Sequence, residues 1–483
     1  MANDEKKVVP RTLKGLSDYW PEEVIARRRM MRTMETLFEK YGFSPLETPA
    51  LEYLDTLLGA GGENANKELF RLESPEGDPI ALRFDLTVPF ARMLAQYPDR
   101  LKTPFRRYAI GPSWRTDKPG VGRFRQFIQC DIDVAGAPTV AVDAEIIAVL
   151  AETMAAICPL EFCVLVNNRK LIDALLDDCG IHETDRQKHV LRVIDKLDKV
   201  GVPNVRLELG PGRIDDSGDP IPGVKLTDDV IEKVLGFIGI EGETRELVTA
   251  ALESSLPDTV LSREAITEMR ELAEALEALE VPQAHAKFAP SLARGLDYYT
   301  GPVYEVALIG VPEFGSVGGG GRYDGLVSRF AHQPIPCTGG SIGLDRLFAA
   351  LRHVGQTPDI PAPVQVLVVT MGNVPKAETL RVAAELRSAG LRTETFFASR
   401  KKMQMGNQLS HADHYGIPVA VIIGEDELAN GIVSIKDLRA GKEAREGIDE
   451  REAYRQAGKT GQKSVSRTEM AATVKRMLLV DPA

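Results

Sequence analysis

Residues 105–136 form the segment that most restricts how this 483-residue chain can fold. Two stretches of strand-like sequence flank a loop rich in Lys, Pro and Gly, a pattern that predicts a β-hairpin. Side chains alternate between the two faces of a strand. The second strand is therefore predicted to have one largely apolar face and one polar face, the latter formed by Arg125, Phe127, Gln129, Asp131 and Asp133.

This polar face has two interpretations, a solvent-facing strand or the wall of a pocket. Burying an aromatic ring, an amide and two carboxylates is costly unless they have partners. We favour the pocket because Arg115, Asp117 and Arg123 lie in the same hairpin, and arginines beside a flat ring suit the recognition of phosphates and bases. Asp131 is compatible with either a structural role or a place in the pocket, whereas Cys130 falls on the apolar face and is predicted to pack.

Changes in sequence character along the chain predict a mixed helix-and-strand domain that is split by an insertion. A strongly apolar helix is predicted over residues 141–157. Charged helical segments, one of them over residues 184–200, dominate the insertion. A proline-rich joint, TPDIPAP, precedes a region in which strands alternate with helices. The predicted organisation is, in chain order, residues 1–180 (first part of the split domain), 181–284 (helical insertion), 285–356 (second part), 357–363 (linker) and 364–483 (α/β domain with a C-terminal tail). Residues 208–223 read as loop throughout, and residues 451–483 suggest no role.

Charge and composition exclude several classes of protein. The net charge of −11 argues weakly against non-specific binding of nucleic acid, although residues 362–483 carry +3, which fits either an ordinary surface or a contact with a polyanion. The five cysteines form no CxxC pair, so neither a zinc ribbon nor a redox motif is predicted, and a reducing, cytoplasmic setting is expected. No apolar run is long enough to span a bilayer, and no N-terminal signal is predicted.

Three glycine-containing segments, residues 293–310, 315–326 and 339–351, complete the set of candidate site motifs. Glycine lets the backbone approach a ligand closely. The third segment predicts a strand followed by a helix, with Arg346 in the first turns, where an anion would also interact with the helix N-terminus. The GKT at residues 458–460 lacks the first glycine of a phosphate-binding loop and is dismissed. His411 and His414 are interpreted as a surface pair rather than a metal site.

In this order, the motifs resemble the histidyl-tRNA synthetase family of class II over nearly the whole chain. The hairpin resembles the second class motif, and GLDRL resembles the third. RGLDYYTG and GGGGRYDGL resemble the two signatures of the histidine branch, and residues 81–94 resemble its amino-acid-binding segment. The resemblance implies an α/β (α+β) fold: an antiparallel-sheet catalytic domain, a helical insertion and a C-terminal α/β anticodon-binding domain.

The resemblance also implies roles for individual residues. Arg115 and Arg294 would hold the α-phosphate of ATP and the substrate carboxylate, and would be the catalytic pair. The other ATP contacts implied are Asp117, Arg123, Phe127 (stacked on adenine) and Arg346 (on the γ-phosphate). The histidine contacts implied are Asp85, Thr87 and Gln129 for the ammonium group, and Asp133, Tyr298 and Tyr299 for the imidazole.

The implied activity is ATP-dependent ligation of L-histidine to tRNA(His) through a histidyl-adenylate, with Mg²⁺ bridging phosphate oxygens and a homodimer as the expected assembly. The alternative is a regulatory or histidine-sensing paralogue that does not charge tRNA. A synthetase for another amino acid conflicts with the two histidine-branch signatures. The short loop at residues 116–122 leaves the readout of the tRNA acceptor stem open.

Overall fold

The structure, a computed structural model, describes residues 8–59, 67–215, 217–293, 299–357, 362–399, 403–443 and 461–479. The chain divides into two compact units, one comprising Met1–Trp20 and Arg27–Thr357, the other Pro21–Ala26 and Pro358–Ala483. No helix in the described part of the chain combines the length and apolar character needed to cross a membrane.

The strands of the first unit are β1 (Ser44–Pro45), β2 (Leu51–Tyr53), β3 (Arg71–Glu73), β4 (Pro79–Leu82), β5 (Phe105–Trp114), β6 (Gln126–Ala135), β7 (Phe162–Asn168), β8 (Gly212–Ile214), β9 (Pro220–Pro222), β10 (Ala286–Phe288), β11 (Pro302–Leu308), β12 (Ser316–Arg322) and β13 (Cys337–Gly343). Its helices, after α1 (Pro21–Lys40), are α2 (Leu54–Leu57), α3 (Thr87–Gln96), α4 (Ala141–Ile157), α5 (Arg169–Asp178), α6 (Thr184–Ile194), α7 (Leu197–Leu209), α8 (Asp228–Ile238), α9 (Arg245–Ser255), α10 (Val260–Ala278) and α11 (Leu344–His353), with short 3₁₀ turns at Pro312–Phe314 and Val327–Arg329.

The main sheet of this unit has, among the residues described, the strand order β1-β5-β6-β13-β12-β11-β7-β10. It is antiparallel from β5 to β7, and only the outermost strands β1 and β10 pair in parallel. The predicted hairpin is present as β5 and β6, and the predicted fold class is confirmed. An antiparallel sheet of this kind can pack one face against a hydrophobic core and leave the other face open for a binding site.

Helix α4 covers the apolar face of the sheet. Its residues are almost all apolar, and both Ile146 and Leu150 are fully buried. They lie against Gly340 of β13, where an added Cβ would come within 2.9 Å of Leu150. On β6, Cys130 and Ile132 are fully buried, as expected from their place on the apolar side of the strand. The hydrophobic free energy of this packing stabilises the sheet and leaves the opposite face for polar side chains.

The helical insertion differs from its prediction in two places. One helix was predicted over residues 184–200, but α6 ends at Ile194, and α7 is kinked at Gly201, whose φ of 77° is non-helical. The predicted loop over residues 208–223 is wrong in part, because α7 runs to Leu209 and β8 pairs with β9. Gly212 allows that pairing, since a Cβ there would lie 2.5 Å from a carbonyl oxygen of β9.

The strands of the second unit are β14 (Val366–Thr370), β15 (Thr393–Thr395), β16 (Val419–Ile423), β17 (Ile432–Asp437) and β18 (Gln462–Ser466), and its helices are α12 (Lys376–Ser388), α13 (Met405–His414), α14 (Glu425–Ala429), α15 (Leu438–Glu443) and α16 (Met470–Leu479), with a 3₁₀ turn at Arg467–Glu469. The strand order is β15-β14-β16-β17-β18, parallel in its first part and antiparallel after β16. The C-terminal tail thus contributes a strand and a helix, and Met470 and Val474 are buried in the core of this unit.

Candidate active site

The polar face of the main sheet forms the floor of a cavity of about 430 Å³. Ten of the residues predicted to bind histidine or ATP line it: Asp85, Thr87, Arg115, Asp117, Arg123, Phe127, Gln129, Asp133, Tyr299 and Arg346. Arg294 and Tyr298 lie outside the described residues. Because every second residue of β6 faces the cavity, one strand supplies Phe127, Gln129 and Asp133, and the pocket-wall interpretation is the one that the structure supports.

Asp133 is fixed by a cation and a hydroxyl group. Its Oδ2 lies 2.6 Å from Nη2 of Arg107, a residue that is 1% exposed and opposite it on β5. The hydroxyl group of Tyr323 donates a hydrogen bond to the other carboxylate oxygen of Asp133. Burial raises the pKa of Asp133, and Arg107 and Tyr323 act in the opposite direction. Both contacts hold the carboxylate in one orientation, as a specific acceptor requires.

Glycine on the neighbouring strand gives Asp133 its space. Gly339 of β13 pairs with Asp133, and a Cβ at this position would lie 2.0 Å from Oδ1. Gly320 of β12 is just as restricted, because its Cβ would meet the carbonyl oxygen of Gly339 at 2.1 Å. The glycine-rich segments therefore serve the packing of the sheet beneath the cavity as well as the approach of a ligand.

Asp85 precedes α3, and Thr87 is the first residue of that helix. The Asp85 carboxylate accepts a hydrogen bond of 3.0 Å from the backbone N–H of Val88. Burial raises the pKa of Asp85, while that hydrogen bond and the guanidinium group of Arg115 lower it. Arg115 donates through Nε to the carbonyl oxygen of Phe84, 3.1 Å away, so the cation and the carboxylate are attached to the same short segment.

Arg115 and Arg346 bring positive charge to the cavity. The Arg115 guanidinium carbon lies 5.2 Å from the centre of the Phe127 ring, within the range of a cation–π interaction. Arg346, in the first turn of α11, donates to the carbonyl oxygens of Gly122 and Ser316 at 3.3 and 2.5 Å. These contacts attach the first turn of α11 and its guanidinium group to the hairpin loop and to β12, an arrangement suited to an anion.

Asp345, beside Arg346, joins several elements and was missed by the sequence reasoning. Its carboxylate accepts hydrogen bonds from the Tyr19 hydroxyl group at 2.5 Å, from Arg27 and from the backbone N–H of Ile128 at 2.5 Å. The helix that carries Arg346 is thereby attached to the strand that carries Phe127. A carboxylate next to a candidate ligand-binding arginine is the only sequence signal that could have indicated this role.

A second buried network lies behind the sheet. Arg322, 4% exposed, donates to Asp143 of α4, and the Thr338 hydroxyl group donates to the same carboxylate at 2.6 Å. Thr338 also hydrogen bonds with Tyr304, whose side chain lines the cavity, with 2.7 Å between the hydroxyl oxygens. Burial raises the pKa of Asp143 to about 6, and Arg322 counters the rise. This network supports the cavity through Tyr304.

Asp131, for which a structural role and a place in the pocket were both open, lines the cavity. The sequence assigned no role to several other lining side chains, namely Tyr304, Glu305, Ser316, Tyr323 and Ser341. Glu68, near the hairpin loop, was also missed, and burial together with Asp117 raises its pKa. Arg125 was placed on the polar face by alternation. It instead donates to the carbonyl oxygens of Asp117 and Lys14, because the strand begins only at Gln126.

His411, one of the two histidines interpreted as a surface pair, contacts other side chains of the second unit. Nε2 of His411 lies 2.7 Å from a carboxylate oxygen of Glu394, and the ring packs near Phe396 and Tyr415. In the part of the chain that the structure describes, no group of three or more His, Cys, Asp or Glu side chains is arranged to hold a metal ion.

An antiparallel sheet with a cavity lined by both acceptors and arginines, in a chain with a separate α/β unit, is the arrangement of a class II aminoacyl-tRNA synthetase. The comparisons with known proteins narrow this class. The family model described as histidyl-tRNA synthetase matches residues 15–347, and the model described as anticodon binding domain matches residues 365–476. The chain belongs to the histidyl-tRNA synthetase family.

Full-length relatives give the same result. The chain is 41% identical over 503 residues to a histidine–tRNA ligase of Paracoccus denitrificans, covering 99% of this chain and 100% of the relative. It is 38% identical over 493 residues to a histidine–tRNA ligase of Caulobacter vibrioides, covering 99% and 98%. The crystal structure of histidyl-tRNA synthetase from Nostoc sp. PCC 7120 superposes with a TM-score of 0.79 at 32% identity, covering 97% of this chain and 100% of that one.

Proposed function

We propose that the protein ligates L-histidine to tRNA(His) in two steps. The carboxylate of histidine attacks the α-phosphorus of ATP and releases pyrophosphate, and a hydroxyl group of the terminal ribose of the tRNA then attacks the acyl carbon and releases AMP. The observation that carries this proposal is the cavity, which brings Asp85, Gln129 and Asp133 together with Arg115 and Arg346.

The proposed roles follow from charge. Negative charge builds on the phosphate oxygens during the first step, so cations fixed around them stabilise the transition state. Arg115 is assigned to the α-phosphate and Arg346 to the γ-phosphate, with Arg123 as a further phosphate contact. Arg294 is assigned to the same α-phosphate from the RGLDYYTG segment. Phe127 would stack on adenine, with Asp117 near the base.

The proposed histidine pocket provides acceptors for the N–H groups of the substrate. Asp85, Thr87 and Gln129 are assigned to the ammonium group, and Asp133 to the imidazole, with Tyr298 and Tyr299 beside it. A pocket with buried acceptors rejects side chains that lack the matching donors by about 10⁴-fold, because its polar groups would be left unpaired. No editing site is then needed.

Mg²⁺ is the metal ion proposed for this reaction, because it binds through phosphate oxygens and only one or two protein carboxylates. Glu305, the carboxylate that lines the cavity from β11, fits such a ligand. When bound, the ion would neutralise phosphate charge. The second unit is assigned to the anticodon of tRNA(His), and a cytoplasmic homodimer is the proposed form, which light scattering after gel filtration tests.

Histidine-dependent exchange of pyrophosphate into ATP, measured with each of the twenty amino acids, tests the activity. We expect exchange with histidine alone. The regulatory alternative predicts histidine binding without exchange by folded protein, and that result would overturn the proposal. Selective exchange with another amino acid would reassign the pocket.

A further inference from the structure

Asp131 is a buried carboxylate in the cavity to which neither the sequence motifs nor the proposed reaction gives a role. It lies on β6 between Gln129 and Asp133, and it is 2% exposed. Its Oδ1 has no hydrogen-bond partner among the residues described. A buried acceptor without a donor costs free energy. A group of this kind that lines a cavity is therefore expected to meet its donor in the ligand.

The strands on both sides leave the space in front of Asp131 open. Ala109 of β5 and Ser341 of β13 are its direct neighbours in the sheet, and both side chains are small. Ser341 also lines the cavity and accepts a hydrogen bond of 3.3 Å from Nε2 of Gln129. This leaves Oε1 of Gln129, like Oδ1 of Asp131, without a partner in the described part of the chain. Two unsatisfied acceptors thus lie one strand repeat apart on the same face.

The cations near Asp131 are already engaged. Arg107 is its principal electrostatic partner, but this side chain contacts Asp133 at 2.6 Å and donates to the carbonyl oxygen of Leu86 at 3.1 Å. Arg83 donates to the carbonyl oxygens of Pro112 and Thr48. Asp133 and Asp85 add further negative charge. The surroundings of Asp131 therefore favour a ligand that carries positive charge.

Two parts of a histidine molecule could meet this carboxylate. A neutral imidazole ring offers a single N–H donor, and Asp133 already stands in the proposed imidazole site. An ammonium group offers three N–H donors and a full positive charge. The donors match the unsatisfied acceptors of Asp131 and Gln129, and the charge matches the buried carboxylate of Asp131. We propose that Asp131 binds the α-ammonium group of the amino acid substrate, together with Asp85 and Gln129. This inference rests on the proposed function and adds to it a residue that determines affinity for the ammonium group.

A dependence on pH follows from the position of Asp131. Burial, Asp133 and Asp85 raise the pKa of Asp131 to about 7, while Arg107 and the Ser341 hydroxyl group counter the rise. A bound ammonium group lowers this pKa, so binding releases a proton when the pH is near or below 7. The part of the histidine affinity that Asp131 provides is therefore full above pH 7 and decreases as the pH falls below it.

Calorimetric titration of the full-length protein at pH 8 tests the inference, with L-histidine and 3-(imidazol-4-yl)propionate as ligands. The second ligand keeps the ring and the carboxylate but lacks the ammonium group. We expect Asp131→Asn to weaken histidine binding about tenfold or more, the worth of a hydrogen bond to a charged group, and to leave binding of the propionate unchanged or tighter. Glu52→Gln is the matched control, because Glu52 is 8% exposed and pairs with Arg92, and neither residue is among those lining the cavity.

Repeating the titrations at pH 6.5 in buffers with different ionisation enthalpies measures the released proton. Protons released by the histidine ligand itself are the same for all variants. A proton release that is lost only in Asp131→Asn therefore comes from Asp131. Equal losses for both ligands, or no loss for histidine, would overturn the inference while leaving the proposed function intact. Wild-type protein that does not bind histidine would overturn both. If Asp131→Asn does not fold, Asp131→Ser replaces it. The comparison is then the ratio of its dissociation constants for L-histidine and for 3-(imidazol-4-yl)propionate against the same ratio in the wild type.

Discussion

At the scale of single residues, the cavity depends on buried carboxylates, each of which is stabilised by a cation and a hydroxyl group. Asp133 has Arg107 and Tyr323, and Asp143 has Arg322 and Thr338. Each pairing joins residues that are distant in sequence. Removing one partner leaves the carboxylate buried and under-compensated, which costs more than the hydrogen bond itself.

Tyr323→Phe tests this dependence at the imidazole end. The substitution removes the hydroxyl group that donates to Asp133, so the pKa of Asp133 rises further and its carboxylate is less firmly oriented. We expect the KM for histidine in pyrophosphate exchange to rise about tenfold or more. Tyr108→Phe is the control, since this hydroxyl group donates to Glu39 at 3.0 Å and Tyr108 is not among the cavity-lining residues. Equal KM values for the two variants would contradict the role given to Tyr323.

Asp131→Asn should also change how stability depends on pH. With a pKa of about 7 in the folded state and about 4 in the unfolded chain, Asp131 binds its proton more tightly when folded. Its contribution to the free energy of unfolding therefore falls as the pH rises from about 4 to about 7. Asparagine does not titrate, so the free energy of unfolding of the variant should increase relative to that of the wild type by about 2–3 kcal/mol between pH 5 and 7. Above pH 7 the difference between the two proteins should stay nearly constant. Urea denaturation without histidine measures the difference, and a gap that is constant with pH would contradict it.

The sequence could predict which residues face the cavity, but not how they are held there. Strand alternation predicted that Phe127, Gln129 and Asp133 share one face, and the cavity lining agrees. The partners of Asp133 could not be predicted, because Arg107 lies on the neighbouring strand and Tyr323 follows a strand almost two hundred residues later. Pairing between strands brings these residues together, and a local pattern in the sequence carries no information about it.

At the scale of elements, the hairpin loop is attached to the start of α11 through a close contact. Gly122 has a φ of 61°, which L side chains rarely adopt, and its Cβ would lie 3.0 Å from Arg346 and 3.1 Å from Phe314. Its carbonyl oxygen accepts the hydrogen bond from Nε of Arg346. A change in the loop is therefore transmitted directly to the proposed γ-phosphate contact.

Gly122→Ala should displace Arg346 and raise the KM for ATP about tenfold, because a small misplacement of a phosphate-binding group is costly in catalysis. The KM for histidine should change less than threefold, because neither Gly122 nor Arg346 is among the residues assigned to histidine. Gly120→Ala provides a control in the same loop, because no heavy atom of the described chain lies within 4 Å of its added Cβ and its φ is not positive. Pyrophosphate exchange measured at varied concentrations of ATP and of histidine gives the two KM values. Equal effects of the two substitutions would show that the loop, rather than the contact with Arg346, determines the change.

Long periodic elements could be predicted from the sequence, and short irregular ones could not. The apolar run of α4 matches its predicted bounds, Ala141–Ile157, because a helix that is buried along most of its length leaves an unambiguous pattern. The hairpin β8–β9 lies where the sequence predicts a loop, because its glycines and prolines usually mark turns. The three-stranded sheet of β2, β4 and β3 was also missed, because strands of three or four residues are too short to show alternation.

At the scale of the whole molecule, each of the two units has a hydrophobic core of its own. Phe90, Leu94 and Val327 belong to a core in the first unit, and Val368 and Val421 belong to a core in the second. Every described residue that lines the cavity belongs to the first unit. The proline-rich joint predicted at residues 357–363 falls where the family models leave residues 348–364 unmatched.

Removal of residues 362–483 should therefore separate the two steps of the proposed reaction. All described residues of the proposed adenylate site remain, so histidine-dependent pyrophosphate exchange should stay within about threefold of the full-length value, as expected for a domain with its own core. Charging of tRNA should fall about 10²-fold in kcat/KM, because the proposed anticodon contact, worth a few kcal/mol, is lost. A cooperative thermal transition of the shortened protein is the control for folding. Unchanged charging would remove tRNA as the partner of the second unit, whereas lost exchange in a folded protein would mean that the first unit needs the second for its chemistry.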